Sequence, residues 1–148
     1  MKGVFLNADC PSNLRLVADR TLFQGAIGNL LTNAIANTPS KECIAVVVSQ
    51  KGNGIEVIVK DSGEGIKPDE LPRVFDRLYR GAIERQTTTG HGLGLSIVKS
   101  IFELHSGTVE ILQYYFDHLL KKINSFSNCK MTRKALLSKG LSRKFERL

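Results

Sequence analysis

The sequence contains no apolar run long enough to cross a membrane. Its longest apolar stretch covers residues 44–48, whereas a membrane-spanning helix needs roughly 20 apolar residues. The first two residues, Met1 and Lys2, lead into no apolar segment of the kind found in secretory signal peptides. We therefore interpret the chain as cytoplasmic.

Cysteine is scarce, and its spacing argues against cysteine-based sites. Cys10, Cys43 and Cys129 lie far apart along the chain and form no C-x-x-C pair. Neither a disulfide framework nor a cysteine-rich zinc site is indicated by this pattern. We expect free thiols.

Acidic residues are rare at the C-terminal end. Residues 112–148 contain nine Lys and Arg but only two acidic residues, whereas residues 1–111 contain 12 of each sign. The net charge of +7 therefore belongs entirely to the C-terminal segment. By composition, residues 1–111 do not form a basic nucleic-acid-binding domain, and no specific nucleic acid partner is expected.

What is present is the composition of one soluble globular domain. The chain has 148 residues, of which 42% are hydrophobic and 24% charged, which is enough for a packed core. The break in charge predicts a domain over residues 1–112 and a basic tail over residues 113–148.

Hydrophobic periodicity predicts a mixed α/β fold. Apolar residues at three- and four-residue spacing predict helices over residues 19–37 and 92–105. In the second helix one apolar row contains Leu93, Ile97, Ile101 and Leu104, and the adjacent row contains Val98 and Phe102.

Short β-branched runs at residues 44–49 and 55–60 predict a hairpin, and residues 108–112 predict another strand. A short helix is expected over residues 69–76 and a mobile loop over residues 80–92. This order favours a sheet with one face covered by helices.

Three asparagines follow one face of the first predicted helix. Asn29, Asn33 and Asn37 are spaced by four residues, beside the apolar stripe. An asparagine oxygen is a neutral ligand that suits magnesium already bound to nucleotide phosphates, which makes Asn33 the candidate ligand. The alternative is a helix with solvated or capping asparagines.

A second motif, Asp-Ser-Gly-Glu-Gly-Ile at residues 61–66, follows an apolar strand. The Asp61 carboxylate can accept a hydrogen bond from an exocyclic amine such as that of adenine. Gly63 and Gly65 would let a flat base lie against the backbone, and Ile66 could pack on it. The alternative is a plain Asp-x-Gly turn.

A third motif is the glycine loop at residues 89–95, which leads directly into a helix. Backbone N–H groups of such a loop and the positive end of the helix dipole can hold phosphate oxygens. The pattern lacks the Lys of a Walker A loop. Arg80 and Arg85 precede it and could reach the same phosphates, although each arginine could simply be solvated.

The segments NLLTNA, DSGEGI, VFDRLYR and TGHGLGLSIVKSI, in this order, resemble the N, G1, F and G2 boxes of the sensor histidine kinases over roughly residues 15–111. The resemblance implies the ATP-binding catalytic domain, a two-layer α/β sandwich also seen in gyrase-type and chaperone ATPases. Residues 85–111 are similar to the heavy-metal sensor branch.

The resemblance also implies site residues. Asn33 would ligate magnesium, with Asn29 near the phosphates, and both would be catalytic. Asp61 would bind adenine, and Phe75 would anchor the lid over the nucleotide. The implied ATP-binding set is Asn29, Asn33, Asp61, Gly63, Gly65, Ile66, Tyr79, Arg80, Arg85, Gly90, His91, Gly92, Leu93, Gly94 and Leu95.

The sequence departs from the family pattern in three places. Ala36 and Asn37 stand where basic and aromatic residues are usual, and no His-Glu-x-x-x-Pro phosphoacceptor segment occurs. After residue 112 the usual Gly-Thr turn and last strand ending in Leu-Pro are not found. We therefore expect a sheet that lacks one strand, followed by a solvated tail.

Two functions follow from these observations. The first is Mg-ATP binding and phosphoryl transfer to a histidine supplied by another domain or chain. The partners would be the dimerisation and phosphoacceptor domain of a sensor kinase and, through it, a response regulator. Full-length members of that family are usually anchored in the inner membrane. The alternative is a non-catalytic ATP-binding remnant or an interaction module with a basic tail.

Overall fold

The computed structural model describes residues 3–81 and 91–113 and the backbone of residues 134–139. The elements in chain order are β1 (Phe5–Asp9), α1 (Arg20–Asn37), β2 (Cys43–Lys51), β3 (Gly54–Asp61), a 3-10 helix (Leu71–Arg73), α2 (Gly94–Leu104), β4 (Thr108–Gln113) and β5 (Lys134–Lys139). No helix in these ranges is long and apolar enough to cross a membrane.

The strands form one mixed sheet in the order β1-β2-β3-β5-β4. β1 runs parallel to β2, and all other neighbours are antiparallel. Val59 of β3 and Ile111 of β4 both pair with Leu136 of β5. The predicted α/β class, a mixed sheet with helices packed on it, is confirmed.

The expectation that the sheet lacks its last strand is wrong. β5 lies between β3 and β4, where it pairs with residues 57–61 and residues 108–113. Without it, both neighbours would present unpaired backbone groups inside the sheet. The sequence of β5 lacks the Gly-Thr and Leu-Pro markers on which the expectation relied. The domain boundary near residue 112 remains a prediction.

Local signals explain the ends of α1. The Asp19 carboxylate accepts a hydrogen bond from the N–H of Leu22 over 2.9 Å and caps the first turn. At the other end the N–H and hydroxyl groups of Thr38 both donate to the carbonyl of Ala34, over 2.9 and 2.7 Å. Pro39 then follows, and the predicted helix over residues 19–37 is confirmed.

The core lies between the two helices and the sheet. The rings of Phe23 on α1 and Phe102 on α2 are 5.8 Å apart. Val98 and Phe102 of α2 are fully buried, whereas Ile97 and Leu104 are 42% and 61% exposed. Of the two predicted apolar rows of α2, the Val98–Phe102 row therefore contributes most to the core. The buried cluster comprises Ala26, Leu30, Ala34, Ile44, Val59, Val98, Ile101 and Phe102.

Two connections differ in how well the sequence predicts them. The β2–β3 hairpin is confirmed, and its turn contains Gly52 at a φ of 58°. The predicted helix over residues 69–76 is wrong except for one 3-10 turn at Leu71–Arg73. The backbone bonds here join residues three positions apart, from the N–H of Arg73 to the carbonyl of Glu70 and from the N–H of Val74 to the carbonyl of Leu71, which is 3-10 and not α-helical pairing. The predicted mobile loop falls largely on residues 82–90, outside the described residues.

The cysteines do not all behave as expected. Cys10 is free and exposed, whereas the buried Cys43 is disulfide-bonded. The prediction of free thiols is confirmed for Cys10 and wrong for Cys43, because separation along a chain does not determine separation in space. Cys129 lies outside the described residues.

Candidate functional site

The asparagine row lies on the C-terminal half of α1. Asn29, Asn33 and Asn37 are all half-buried. The side-chain N–H of Asn37 donates to the backbone carbonyl of Asn33 over 2.9 Å and to its Oδ1 atom over 3.1 Å. This pair orients the Asn33 amide oxygen, which retains a second lone pair.

The Asp61 motif forms a tight turn against the end of α1. Asp61 is 3% exposed, and its Oδ1 atom accepts a hydrogen bond from the N–H of Gly63 over 2.9 Å. A Cβ atom at Gly63 would lie 2.8 Å from that Oδ1 atom and 2.9 Å from the carbonyl oxygen of Asn37. The turn therefore approaches α1 so closely that only glycine fits.

The glycine loop meets the same helix at the other end of the asparagine row. Gly94 begins α2, and a Cβ atom at this position would lie 3.6 Å from Oδ1 of Asn29. The first pair of the helix joins the N–H of Ile97 to the carbonyl of Leu93 over 3.0 Å. The N–H groups of residues 94–96 therefore have no carbonyl within the helix to bind.

Three sequence motifs are thus brought together along α1. The Asp61 turn packs against Asn37, and the start of α2 lies beside Asn29, which a Cβ atom at Gly94 would contact. Asn33 lies one helical turn from Asn29 and one from Asn37. The site combines a buried carboxylate, an oriented amide oxygen and the N-terminus of a helix. These are groups for a polar base, a divalent cation and phosphate oxygens.

The two ends of the segment over residues 79–91 are joined. The N–H of Leu78 donates to the carbonyl of Gly92 over 3.0 Å. Gly92 has a φ of 67°, and a Cβ atom there would lie 2.6 Å from the carbonyl oxygen of Tyr79. The F and G2 motifs are therefore held next to each other at Leu78 and Gly92. Arg85 and Gly90 lie outside the described residues, and His91 is exposed.

The F motif lines a separate cleft of about 370 Å³. The guanidinium of Arg73 stacks over the ring of Tyr79 at 4.7 Å. Phe75 is half-buried. The cleft is lined by Arg73, Asp76, Arg77, Leu78, Tyr79 and Arg80. Of the predicted site residues, Tyr79 and Arg80 line this cleft, whereas Asn33 and Asp61 do not.

Gln113 lies beside the Asp61 motif, although no sequence motif includes it. The side-chain Oε1 atom of Gln113 accepts a hydrogen bond from the N–H of Ile66 over 2.6 Å, and its Nε2 donates to the Ile66 carbonyl over 2.7 Å. Gln113 lies just past residue 112, where the domain boundary is predicted. No periodicity indicates a contact between residues so far apart in sequence.

Lys60 directly precedes Asp61 in the sequence, and its position in the sheet perturbs its pKa. Lys60 of β3 is half-buried. This burial lowers the pKa of Lys60 from its ordinary value of 10.5, because removing water disfavours the charged form.

Comparison with known proteins identifies the family. Residues 18–134 match the histidine kinase-, DNA gyrase B- and HSP90-like ATPase family. This chain belongs to that family. Its recognition as a sensor histidine kinase ATP-binding catalytic domain, including the similarity to the heavy-metal sensor branch, is confirmed.

Individual histidine kinases support this assignment of the catalytic domain. The domain is 42% identical over 107 residues to the sensor-like histidine kinase SenX3 of Mycobacterium bovis, over 72% of this chain and 26% of the relative. It is 42% identical over 98 residues to the sensor histidine kinase CusS of Escherichia coli, over 66% of this chain and 20% of the relative. The chain therefore spans about a quarter of the length of such relatives or less.

Solved structures agree with the fold of the catalytic domain. The mycobacterial sensor histidine kinase MprB matches with a TM-score of 0.67 and 25% identity, over 92% of this chain and 78% of that chain. The catalytic domain of histidine kinase ThkA matches with a TM-score of 0.68 and 23% identity, over 92% of this chain and 77% of that chain.

Proposed function

We propose that this chain binds Mg-ATP and transfers its γ-phosphoryl group to a histidine on another domain or chain. The observation that carries the proposal is the convergence on α1, where the Asp61 turn packs against Asn37 and the start of α2 lies beside Asn29. Membership of an ATPase family and similarity to sensor histidine kinases support the same conclusion.

The Asp61 turn would bind the adenine base. Its carboxylate is buried, and its Oδ1 atom accepts a hydrogen bond from the N–H of Gly63. A carboxylate is an acceptor, which is the group that the exocyclic amine of adenine requires. Guanine presents a carbonyl oxygen at the equivalent position, which would repel a carboxylate. Selectivity for ATP over GTP follows from this difference.

The phosphates would lie between the start of α2 and the asparagine row. The N–H groups of residues 94–96 and the helix dipole favour negative charge at this end of α2. The Asn33 oxygen, oriented by Asn37, fits a magnesium ion that retains waters and phosphate ligands. When bound, magnesium neutralises the charge on the phosphates.

The protein would contribute mostly positioning and charge neutralisation to the transfer. We propose that the acceptor histidine belongs to the dimerisation and phosphoacceptor domain of a sensor kinase, from which a response regulator receives the phosphoryl group. A cytoplasmic location fits this use of ATP.

The Asp61→Asn variant tests base recognition. Asparagine retains an oxygen for the Gly63 N–H but presents a donor where the adenine amine requires an acceptor. We expect ATP binding by calorimetry to weaken by about 1–3 kcal/mol, the typical cost of an unsatisfied buried group. The exposed Asp69→Asn variant serves as a control and should bind as the parent does. Equal affinity of the parent for ATP and GTP would contradict the assignment.

Phosphoryl transfer needs a second experiment with labelled ATP. Alone, the protein should not label itself, whereas a separate dimerisation and phosphoacceptor domain should become labelled in trans. Asn33→Ala should abolish this transfer by removing the magnesium ligand. Magnesium-dependent ATP binding without any transfer would instead support the non-catalytic alternative, and acid-labile self-labelling would reveal an acceptor within the chain.

A further inference from the structure

We propose that Gln113 is a positioning residue for the base pocket, because its side-chain amide pairs with the backbone of Ile66 as a neighbouring strand would. The inference rests on the proposed function, since the segment it holds is the one that would contact adenine. It adds a residue that lies outside the four motifs.

The contact is a reciprocal pair of hydrogen bonds. Oε1 of Gln113 accepts from the N–H of Ile66 over 2.6 Å, and Nε2 donates to the Ile66 carbonyl over 2.7 Å. Both polar groups of one loop residue are satisfied by a single planar amide. Such a pair fixes the position and the orientation of the backbone at Ile66.

The sheet register places Gln113 at the same level as Asp61. Asp61 of β3 and Gln113 of β4 both pair with Lys134 of β5. The two residues are therefore two strands apart, or roughly 10 Å across the sheet. The loop over residues 62–66 starts at Asp61 and is held at Ile66 by Gln113, so both of its ends are fixed to the sheet.

Gly65 shows how closely the side chain approaches the loop. Gly65 has a φ of 90°, and a Cβ atom there would lie 2.5 Å from Oε1 of Gln113. The amide therefore occupies the space that any other residue at position 65 would need. The two glycines of the motif then have different partners: Gly63 packs against α1, and Gly65 packs against Gln113.

A fixed loop matters for base recognition because the adenine ring must be held at one distance from the Asp61 carboxylate. If residues 64–66 were free to move, the base would lose part of its contact surface and the carboxylate would no longer meet one donor in one geometry. We therefore expect Gln113 to affect selectivity as well as affinity, without touching the nucleotide chemically.

The test replaces Gln113 with methionine, which has a similar length and no amide. We expect the Kd for ATP to rise roughly tenfold, the scale of one to two lost hydrogen bonds. The ATP-to-GTP affinity ratio should fall, and amide hydrogen exchange at Ile66 should accelerate without nucleotide. Gln50→Met, at an exposed glutamine on β2, is the matched control and should leave all three measurements unchanged.

A second variant keeps the inference testable if Gln113→Met does not fold. Gln113→Glu retains an acceptor for the Ile66 N–H but places a carboxylate oxygen against the Ile66 carbonyl, so affinity and selectivity should fall in the same direction. Gly65→Ala should weaken ATP binding less in a Gln113→Ala background than in the parent, because the clash with Oε1 is then gone.

The possible outcomes distinguish failure of the proposed function from failure of the positioning role of Gln113. A parent protein that binds no ATP refutes the proposed function and, with it, the role of Gln113. A parent that binds ATP, with folded Gln113 variants that match its Kd and its ATP-to-GTP ratio, refutes only the positioning role. A selective loss in the Gln113 variants supports both.

Discussion

His105 connects the end of α2 to the start of α1 through Asp19. The Nε2 atom of His105 accepts a hydrogen bond from the backbone N–H of Asp19 over 3.1 Å, and Nδ1 lies 2.7 Å from the carbonyl oxygen of Ile101. Because the Asp19 N–H can only donate, Nε2 must be the acceptor and Nδ1 must carry the proton. The buried imidazole of His105 therefore connects two helix ends that lie far apart in sequence.

His105→Phe tests this connection. The ring fills similar space but removes both hydrogen bonds and leaves the Asp19 N–H without its partner. We expect the free energy of unfolding to fall by about 1–3 kcal/mol in urea denaturation. His91→Phe, at an exposed histidine, should have little effect. Equal stability of the two variants would show that the His105 contacts contribute nothing.

Gly92→Ala tests the close approach of the F and G2 motifs. The new Cβ atom would lie 2.6 Å from the Tyr79 carbonyl oxygen and 2.8 Å from the Leu78 carbonyl carbon, which are backbone atoms that cannot rotate away. Gly52→Ala is a matched control, because its φ is 58° but nothing lies within 4 Å. Gly52→Ala should cost about 1–2 kcal/mol of unfolding free energy through its backbone conformation alone.

Gly92→Ala should cost more than Gly52→Ala, because overpacking adds to the same backbone penalty. Thermal and urea unfolding of the two variants measure the difference. If both variants lose the same stability, the contact between Gly92 and residues 78–79 is not tight in solution.

Lys60→Met tests the cost of the half-buried lysine. Burial lowers the pKa of Lys60 in the folded protein below its ordinary 10.5. Between these two values the unfolded chain binds a proton that the folded chain has released, so stability from this group rises with pH. Lys60→Met should therefore stabilise most at neutral pH, and the gain should shrink as pH rises towards 10.5.

Urea denaturation across this pH range measures the gain, with the exposed Lys67→Met variant as control. The Lys67 variant should show no comparable dependence on pH. A gain in Lys60→Met that stays constant as pH rises would mean that packing of the methionine, and not relief of a buried charge, accounts for it.

Local sequence signals predicted α1 and the Asp61 turn well. Asp19 caps the helix through a hydrogen bond to a residue three positions away, and Pro39 follows its last turn. The Asp61–Gly63 turn likewise depends on two residues that are nearly adjacent. Such contacts are decided within a few residues and are therefore visible in a sequence.

Contacts between distant residues account for what the sequence did not predict. The Gln113–Ile66 pair spans 47 positions and the Asp19–His105 pair spans 86. Both join a side chain to a backbone group, which leaves no hydrophobic period to detect. β5 was missed for a related reason, because its partners in the sheet lie far upstream and its own sequence carries no family marker.

Asn37→Ala tests how the proposed magnesium ligand is held. Alanine keeps the Cβ atom and backbone carbonyl that face Gly63 but removes the amide that donates to Oδ1 of Asn33. If Asn33 binds magnesium, ATP affinity with magnesium should fall about tenfold, as for other residues that orient a metal ligand. Affinity without magnesium should change little.

Calorimetric titration with and without magnesium separates these effects, and the exposed Asn7→Ala variant is the control. An equal loss in both conditions would mean that Asn37 supports the fold of the pocket and not the ligand. No loss in either condition would contradict the role of the Asn33–Asn37 pair.

Shortening the chain tests the place of β5 in the domain. A chain that ends at Gln113 lacks the strand that pairs with five residues of β3 and six residues of β4. Its removal would leave unpaired backbone groups and exposed apolar surface in the middle of the sheet. We expect this chain to aggregate or to lose its cooperative thermal transition, whereas a chain that ends at Lys139 should unfold as the parent does. A chain ending at Gln113 with the thermal midpoint of the parent would show instead that residues 114–148 are a solvated tail, and that the boundary predicted from charge is the true one.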